Sequence, residues 1–247
     1  MTQLASARVF EHLFVLGRPA GGKSEFIDFM KKLDAGQRRD RFGIGHFEEV
    51  DDFPWLFQAC MDDDVRESLG QPREVSERVA EGYNITRAGF RGSLVDRFNA
   101  VIGAQYLANP SFYGEGTLVI EFARGVGDGF RESLEHFRPD ILARAAILYI
   151  KVSFEESYRR NDARYRKGQE ESILFHKVPD RDMFDFFRDN DWDQMTGGAS
   201  DGVLTLAGVR VPFVSMLNEP ESTDPVVLGV RYGAALTRLL DLYGRTR

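Results

Sequence analysis

Five short apolar runs are spaced along the chain, and longer stretches of helical or mixed character separate them. Apolar runs of this length, bounded by polar or turn residues, predict buried strands. Their alternation with helical stretches is typical of a parallel sheet with crossover helices. The predicted strands cover residues 12–16, 44–50, 117–122, 146–152 and 211–217. The pattern therefore predicts an α/β fold.

Apolar residues in other parts of the chain recur at helical spacing. They predict a first helix over residues 23–33 and a final helix from Pro225 to about Tyr243. Residues 203–206 form a further β-like run, which the Ala-Gly pair at 207–208 separates from the last strand. We expect this run to pair with the last strand as a hairpin.

Two segments are too long to be simple connections. Residues from about 51 to 115 end in a stretch with helical periodicity and predict a helical insertion on the substrate side. Residues from about 153 to 200 are rich in arginine, aspartate and phenylalanine and predict a mobile lid. Within them, the aspartates of 180–193 are expected to form a solvated helix face. We interpret residues 1–247 as one domain with these additions.

Composition limits the function. The 247 residues suit one large α/β domain, and 43% hydrophobic with 29% charged residues is ordinary globular usage. A net charge of −7 argues against general nucleic-acid binding. Cys60 is the single cysteine, which excludes an intramolecular disulfide framework. The N-terminal residues lack a secretory signal and no run is long enough to span a membrane, so we expect a cytoplasmic protein.

The sequence GRPAGGKS at residues 17–24 matches the phosphate-binding pattern G-x-x-x-x-G-K-[ST]. Glycines allow a tight loop whose backbone N–H groups bind phosphate, the lysine reaches the β- and γ-phosphates, and the hydroxyl ligates Mg²⁺. We expect Lys23 to be a solvent-facing ligand of phosphate. The predicted nucleotide-binding residues are Gly17, Ala20, Gly21, Gly22, Lys23, Ser24 and Glu25.

Two classes of phosphate-loop protein carry signatures that this chain lacks. A switch GTPase needs a guanine-reading Asn-Lys-x-Asp motif, and a transporter-type ATPase carries Leu-Ser-Gly-Gly-Gln. The chain instead resembles the nucleoside and nucleotide kinases of the phosphate-loop fold. In LVIEFARG at 118–125, the resemblance implies that Glu121 holds Mg²⁺ with Ser24 and that Arg124 contacts an acceptor or phosphate. A strand-end ion pair is the alternative for Arg124.

The resemblance also implies a role for arginines in SFEESYRRNDARYRK at 153–167. In these kinases, arginines of the matching helix and lid stabilise the transferring phosphoryl group. Arg160 and Arg164 share a helical face and are the candidates here. The alternative is a set of surface pairs, because Glu156 precedes Arg160 by four residues.

An acidic residue ends the second strand in similar kinases and deprotonates the acceptor hydroxyl. Asp51 and Asp52 are the best placed, Glu49 is a further candidate, and we choose Asp52 as the base. The alternative is a polar exit from the strand without a chemical role. Residues 53–55 would form a wall for a flat or apolar acceptor. Asn218, after the last strand, is the candidate to line the adenine, mainly through backbone groups.

The resemblance implies a three-layer fold with a five-stranded parallel sheet in the order 2-3-1-4-5. The predicted function is transfer of the ATP γ-phosphate, with Mg²⁺, to a small-molecule acceptor, and the predicted acceptor is a nucleoside or nucleotide. A monophosphate acceptor would need arginines such as Arg87, Arg91 or Arg97. An ATPase or nucleotide-regulated binding protein is the alternative function, and the sequence leaves a homodimer open.

Overall fold

The computed structural model describes residues 9–167 and 177–247. Within them, six strands form one sheet in the order β2-β5-β1-β6-β8-β7. The first five of these strands are parallel to their neighbours, and β7 pairs antiparallel with β8. The strands are β1 (His12–Gly17), β2 (His46–Asp51), β5 (Gly116–Phe122), β6 (Ala145–Lys151), β7 (Asp201–Leu206) and β8 (Val209–Leu217). The five parallel strands have the predicted order, and the expected hairpin adds a sixth strand.

Helices cover both faces of the sheet. They are α1 (Lys23–Lys32), α2 (Ala35–Phe42), α3 (Phe53–Ser68), α4 (Phe90–Ile102), α5 (Phe130–Glu135), α6 (Pro139–Leu142), α7 (Phe154–Lys167), α8 (Asp180–Asp182), α9 (Trp192–Thr196) and α10 (Pro225–Thr246). Alternate residues of β1 belong to two cores, because successive strand side chains point to opposite faces. Phe14 and Leu16 pack with α4, α5 and α9, whereas Leu13 and Val15 pack with α1, α2 and α10. This double burial explains why β1 is a continuous apolar run.

The sequence predicted a helical insertion, but the insertion also contains a hairpin of β3 (Ser76–Val79) and β4 (Gly82–Ile85). Asp63 on α3 holds the chain entering the hairpin. Its carboxylate accepts hydrogen bonds from the backbone N–H groups of Glu74, Val75 and Ser76 at 2.7–2.9 Å. These bonds hold the pKa of Asp63 below its usual value despite the opposing effect of desolvation. The strands were missed because each spans only four residues and they are largely polar.

The sequence predicted a helix with a solvated acidic face over residues 180–193, and the structure differs. A π-helix (Met183–Phe187) follows α8, and α9 begins only at Trp192. Asp182 is buried and lies 2.9 Å from Arg91 of α4, so this aspartate does not belong to a solvated face. Within residues 9–167 and 177–247, no helix is long and apolar enough to cross a bilayer.

Candidate functional site

A cavity of about 230 Å³ lies at the carboxyl ends of β1, β2 and β5. The loop after β1, the end of β2 at Asp51 and the end of β5 at Phe122 form one part of its lining. Helix α3, the β3–β4 hairpin and the segment before α8 form the other part. Polar groups from separate strands therefore meet in one place, as is usual in open parallel sheets.

The loop after β1 has the tight geometry that its glycines allow. A side chain at Gly17 would come within 2.6 Å of the Ile150 carbonyl, so the loop must leave the sheet at a residue without one. Gly22 has a φ of +104° and immediately precedes α1, a conformation that favours glycine. Pro19, Ala20, Gly22, Lys23 and Ser24 line the cavity. The loop thus presents its second half and the start of α1 to the site.

Lys23 lies inside the cavity wall and does not face solvent, so that expectation is wrong. Its side chain is buried, and its Nζ lies 3.8 Å from Oε1 of Glu121 and donates a hydrogen bond to the Arg18 carbonyl at 3.1 Å. Burial lowers the pKa of Lys23, and the carboxylates of Glu121 and Asp51 oppose that effect. Lys23 is buried because β2 and β5 extend as far as the loop and place acidic side chains next to it.

Asp51 is the last residue of β2 and lies opposite Glu121 of β5 in the parallel register. Burial, followed by the negative charges of Glu121 and Asp52, raises the pKa of Asp51 to about 8. The pKa of Glu121 is also raised, chiefly by burial. A carboxyl group whose pKa lies near neutrality is suited to take up a proton during a reaction.

Asp52 was the predicted base, but the structure places its carboxylate in an ion pair. Its Oδ2 accepts a hydrogen bond from Nη1 of Arg124 at 2.6 Å, and both side chains are buried. The other guanidinium nitrogens of Arg124 donate to the Ser133 hydroxyl and the Arg91 carbonyl. The pair therefore joins the ends of β2 and β5 to α4 and α5. This matches the strand-end ion pair that was the alternative for Arg124, although both residues still line the cavity.

The two candidate arginines of α7 are separated by the structure. Arg164 lines the cavity, and its positive charge acts on both Lys23 and Glu121. Arg160 is buried away from the cavity lining, where it donates to the Glu156 carboxylate and to the Asn218 carbonyl, each at 2.7 Å. Of these two arginines, only Arg164 therefore lines the cavity.

Asn218 supports the phosphate loop from outside the cavity. Its Nδ2 donates to the Gly21 carbonyl at 3.0 Å, and its Oδ1 accepts from Arg231 at 2.6 Å. A side chain at Gly22 would come within 2.3 Å of this amide. Because a trans peptide carries its C=O and N–H on opposite sides, holding the Gly21 carbonyl fixes the direction of the Gly22 N–H. Adenine contact by Asn218 stays a prediction.

Asn218→Asp replaces the amide donor with a carboxylate oxygen that faces the Gly21 carbonyl. We expect ADP affinity to fall about tenfold, which corresponds to about 1.4 kcal/mol, because the loop loses its fixed conformation. Titration calorimetry with Mg-ADP measures the effect. Asn109→Asp, on an exposed loop, is the matched control and should bind ADP as the unmodified protein does. Equal affinity in both variants would contradict the supporting role.

The donor set fits a magnesium ion that arrives with a nucleotide. Among the described residues, no group of three or more His, Cys, Asp or Glu side chains could hold a metal ion. Mg²⁺ commonly binds through one or two protein oxygens together with substrate phosphates and water. Ser24 and Glu121 both line the cavity and offer such oxygens.

Several cavity residues were not predicted. Asn161 of α7 exchanges two hydrogen bonds with the backbone of Val178, which holds the cavity segment 177–179 against that helix. Tyr83, Lys177 and Asp182 also line the cavity. Each is a single polar residue in a stretch of mixed composition, and none belongs to a motif of fixed spacing that would identify it from the sequence. Of the predicted residues, Gly17, Gly21, Glu25, Arg160 and Asn218 lie outside the cavity lining.

No protein-family model matches the chain, and no curated protein matches it in sequence. Among solved structures, it is similar to a gluconokinase from Sinorhizobium meliloti 1021 at 13% identity and a TM-score of 0.47, over 97% of this chain and 99% of that chain. Kti12 from Chaetomium thermophilum, solved in complex with ADP-AlF3, has 13% identity and a TM-score of 0.47, over 94% and 98%. A sugar kinase from Janibacter sp. HTCC2649 has 15% identity and a TM-score of 0.38, over 94% and 95%.

Similarity of this degree identifies neither a substrate nor an activity. The chain's own topology is more informative. Five parallel strands lie in the order predicted for this fold, and the phosphate loop connects the central β1 to α1. The predicted phosphate-loop α/β fold is thus confirmed.

Proposed function

We propose that this protein is an ATP-dependent phosphotransferase that acts on a small-molecule acceptor of the nucleoside or nucleotide class. The observation that carries the proposal is the convergence of Lys23, Glu121 and Asp51 in one cavity with an apolar extension. A phosphate-binding group, a candidate magnesium ligand and a candidate base are thus within one site. Such a site has separate parts for donor and acceptor.

In the proposed reaction, the loop amides and Lys23 bind the ATP phosphates. Ser24 and Glu121 would hold Mg²⁺, which supplies positive charge against the β- and γ-phosphates when it is bound. Asp51 takes the proton of the acceptor hydroxyl as that oxygen forms a bond to Pγ. The bond between Pγ and the bridging oxygen breaks, and ADP leaves.

Arg164 and the buried ion pairs complete the site. The guanidinium of Arg164 adds positive charge on the side of Lys23, where charge develops in the transferring group. The Asp52–Arg124 pair holds Asp51 in place through the adjacent backbone. A bound acceptor would displace water from the cavity, where water would otherwise accept the phosphoryl group. A lid over residues 153–200, a cytoplasmic location and a homodimer stay predictions.

The test is an acceptor screen with MgATP. Pools of nucleosides, nucleoside monophosphates and small hydroxy compounds are incubated with the purified protein, and ADP and phosphorylated product are measured together. Product from one pool, with ADP release that depends on it, is the expected result. ADP release that no pool changes would instead support the ATPase alternative.

A further inference from the structure

Most of the cations that line the cavity are already paired with carboxylates. Within residues 9–167 and 177–247, the cavity-lining cations outside the loop are Arg91, Arg124, Arg164 and Lys177. Nη2 of Arg91 lies 2.9 Å from Oδ2 of Asp182, and Nη1 of Arg124 lies 2.6 Å from Oδ2 of Asp52. Nζ of Lys177 lies 2.7 Å from Oδ1 of Asp180. A carboxylate thus offsets the charge of each of these three cations.

The other two cations, Lys23 and Arg164, belong to the donor end. Lys23 follows the loop glycines, and the charge of Arg164 acts on Lys23 and Glu121. The γ-phosphate of ATP would take both. A phosphate group on the acceptor would therefore meet Asp51 and Glu121 without an uncompensated cation among the described residues. Desolvating an anion without such a partner costs several kcal/mol.

The arginines that a monophosphate acceptor would need are not available to it. Arg87 and Arg97 are exposed and lie outside the cavity lining. The guanidinium of Arg97 lies over the Trp55 ring at 4.8 Å. Arg91 alone reaches the cavity, and it does so as half of an ion pair.

The remaining wall of the cavity is apolar. Rings and aliphatic groups of the insertion and of the π-helix form it, and they are Phe53, Leu56, Phe57, Tyr83, Ile85 and Phe187. The ring centroids of Phe57 and Tyr83 are 5.9 Å apart in an edge-to-face arrangement. Such a wall binds the apolar or aromatic faces of a molecule and offers little to a strongly hydrated group.

The Arg91–Asp182 pair is the polar feature within this apolar wall. The guanidinium of Arg91 lies over the Phe186 ring at 3.9 Å, and its Nη2 donates to Oδ2 of Asp182. Burial raises the pKa of Asp182, whereas Arg91 opposes that effect. The pair has hydrogen-bond donors and acceptors but no net charge. It can bind polar groups of an uncharged molecule without attracting an anion.

We infer that the acceptor is an uncharged molecule which receives the phosphoryl group on a hydroxyl oxygen, and that the Arg91–Asp182 pair selects against acceptors already carrying phosphate. This inference rests on the proposed function and decides between its two acceptor classes. The hydroxyl oxygen forms the new bond to Pγ, its proton goes to Asp51, and ADP departs with the electrons of the broken bond.

The experiment compares matched acceptors. Ribonucleosides, deoxyribonucleosides, hexoses and polyols are each assayed with MgATP beside their own monophosphates. For the accepted compound, we expect kcat/KM to exceed that of its monophosphate at least about 100-fold. Equal or better use of the monophosphate would overturn the inference and leave the proposed function standing. Absence of phosphorylated product from every compound would overturn both.

Asp182→Asn tests the role of the ion pair. The substitution keeps the shape of the side chain but leaves the charge of Arg91 uncompensated, so the preference for the uncharged acceptor should narrow at least about tenfold. Asp185→Asn, an exposed aspartate three residues further on, is the matched control and should leave the preference unchanged. A preference that stays the same in Asp182→Asn would overturn the selective role of the pair. If Asp182→Asn does not fold, the acceptor comparison still decides the acceptor class.

Discussion

Lys23→Met should reduce ATP-dependent phosphoryl transfer by at least about 10²–10³-fold, because one preorganised positive group at the transferring phosphate contributes about that much. Methionine retains most of the aliphatic length but lacks both the charge and the hydrogen bond to the Arg18 carbonyl. The variant should also lose stability at pH 8, since Lys23 offsets the charges of Glu121 and Asp51 in a buried place. The loss should be smaller at pH 5, where more of these carboxyl groups are protonated.

Measurement of kcat and of the melting temperature at both pH values separates the two effects. Lys31→Met is the matched control on the same helix, because Lys31 is exposed and pairs with Glu49 at the surface. That control should retain its activity and lose at most about 1 kcal/mol. Full activity in a folded Lys23→Met variant would remove the phosphate-loop mechanism.

The strands and the phosphate loop could be predicted from the sequence because their signals are local. A strand buried on both faces must be a continuous apolar run, and β1, β5 and β6 are such runs. The conformation of the loop likewise depends on glycines at fixed spacing, which can be read directly from the sequence. Local signals of this kind can be recognised without knowing which elements pack next to them.

The burial of Lys23 could not be predicted in this way. It depends on β2 and β5, which lie next to each other but are separated by more than sixty residues of insertion. The same is true of Asp182, whose partner Arg91 is 91 positions away. Pairings of this kind follow from tertiary structure, and the surrounding aspartates give no sign of which one is buried.

Asp51 and Asp52 are adjacent in the sequence, but their side chains make different contacts. Asp51 is the end of β2, whereas Asp52 is the N-cap of α3 with a helical backbone. The two side chains therefore leave the chain in different directions, and only Asp52 reaches Arg124. A sequence motif of two adjacent acids carries no information about this difference, so the choice between them needed the structure.

Asp51→Asn should slow transfer to a hydroxyl acceptor by about 10²–10⁴-fold, the range that a general base contributes. ATP affinity should stay nearly unchanged, because Asp51 serves the acceptor. In the unmodified protein, kcat/KM for the acceptor should rise with pH up to about 8, the pKa of Asp51 in the free protein. This dependence should be absent from the variant. Asp52→Asn is the matched comparison and should mainly lower stability by weakening the pair with Arg124.

Asp51→Asn should also stabilise the protein at high pH. Between the ordinary pKa of 3.8 and the folded-state value of about 8, folded Asp51 holds a proton that the unfolded chain has released, so its contribution to stability falls as pH rises. Asparagine does not titrate and avoids that loss. At pH 8, we expect a gain of at least about 1 kcal/mol, or about 2–4 °C in melting temperature, and at pH 4.5 much less. A variant that is slow but no more stable at pH 8 would show that Asp51 is ionised at little cost, which would contradict its place as a base with a raised pKa.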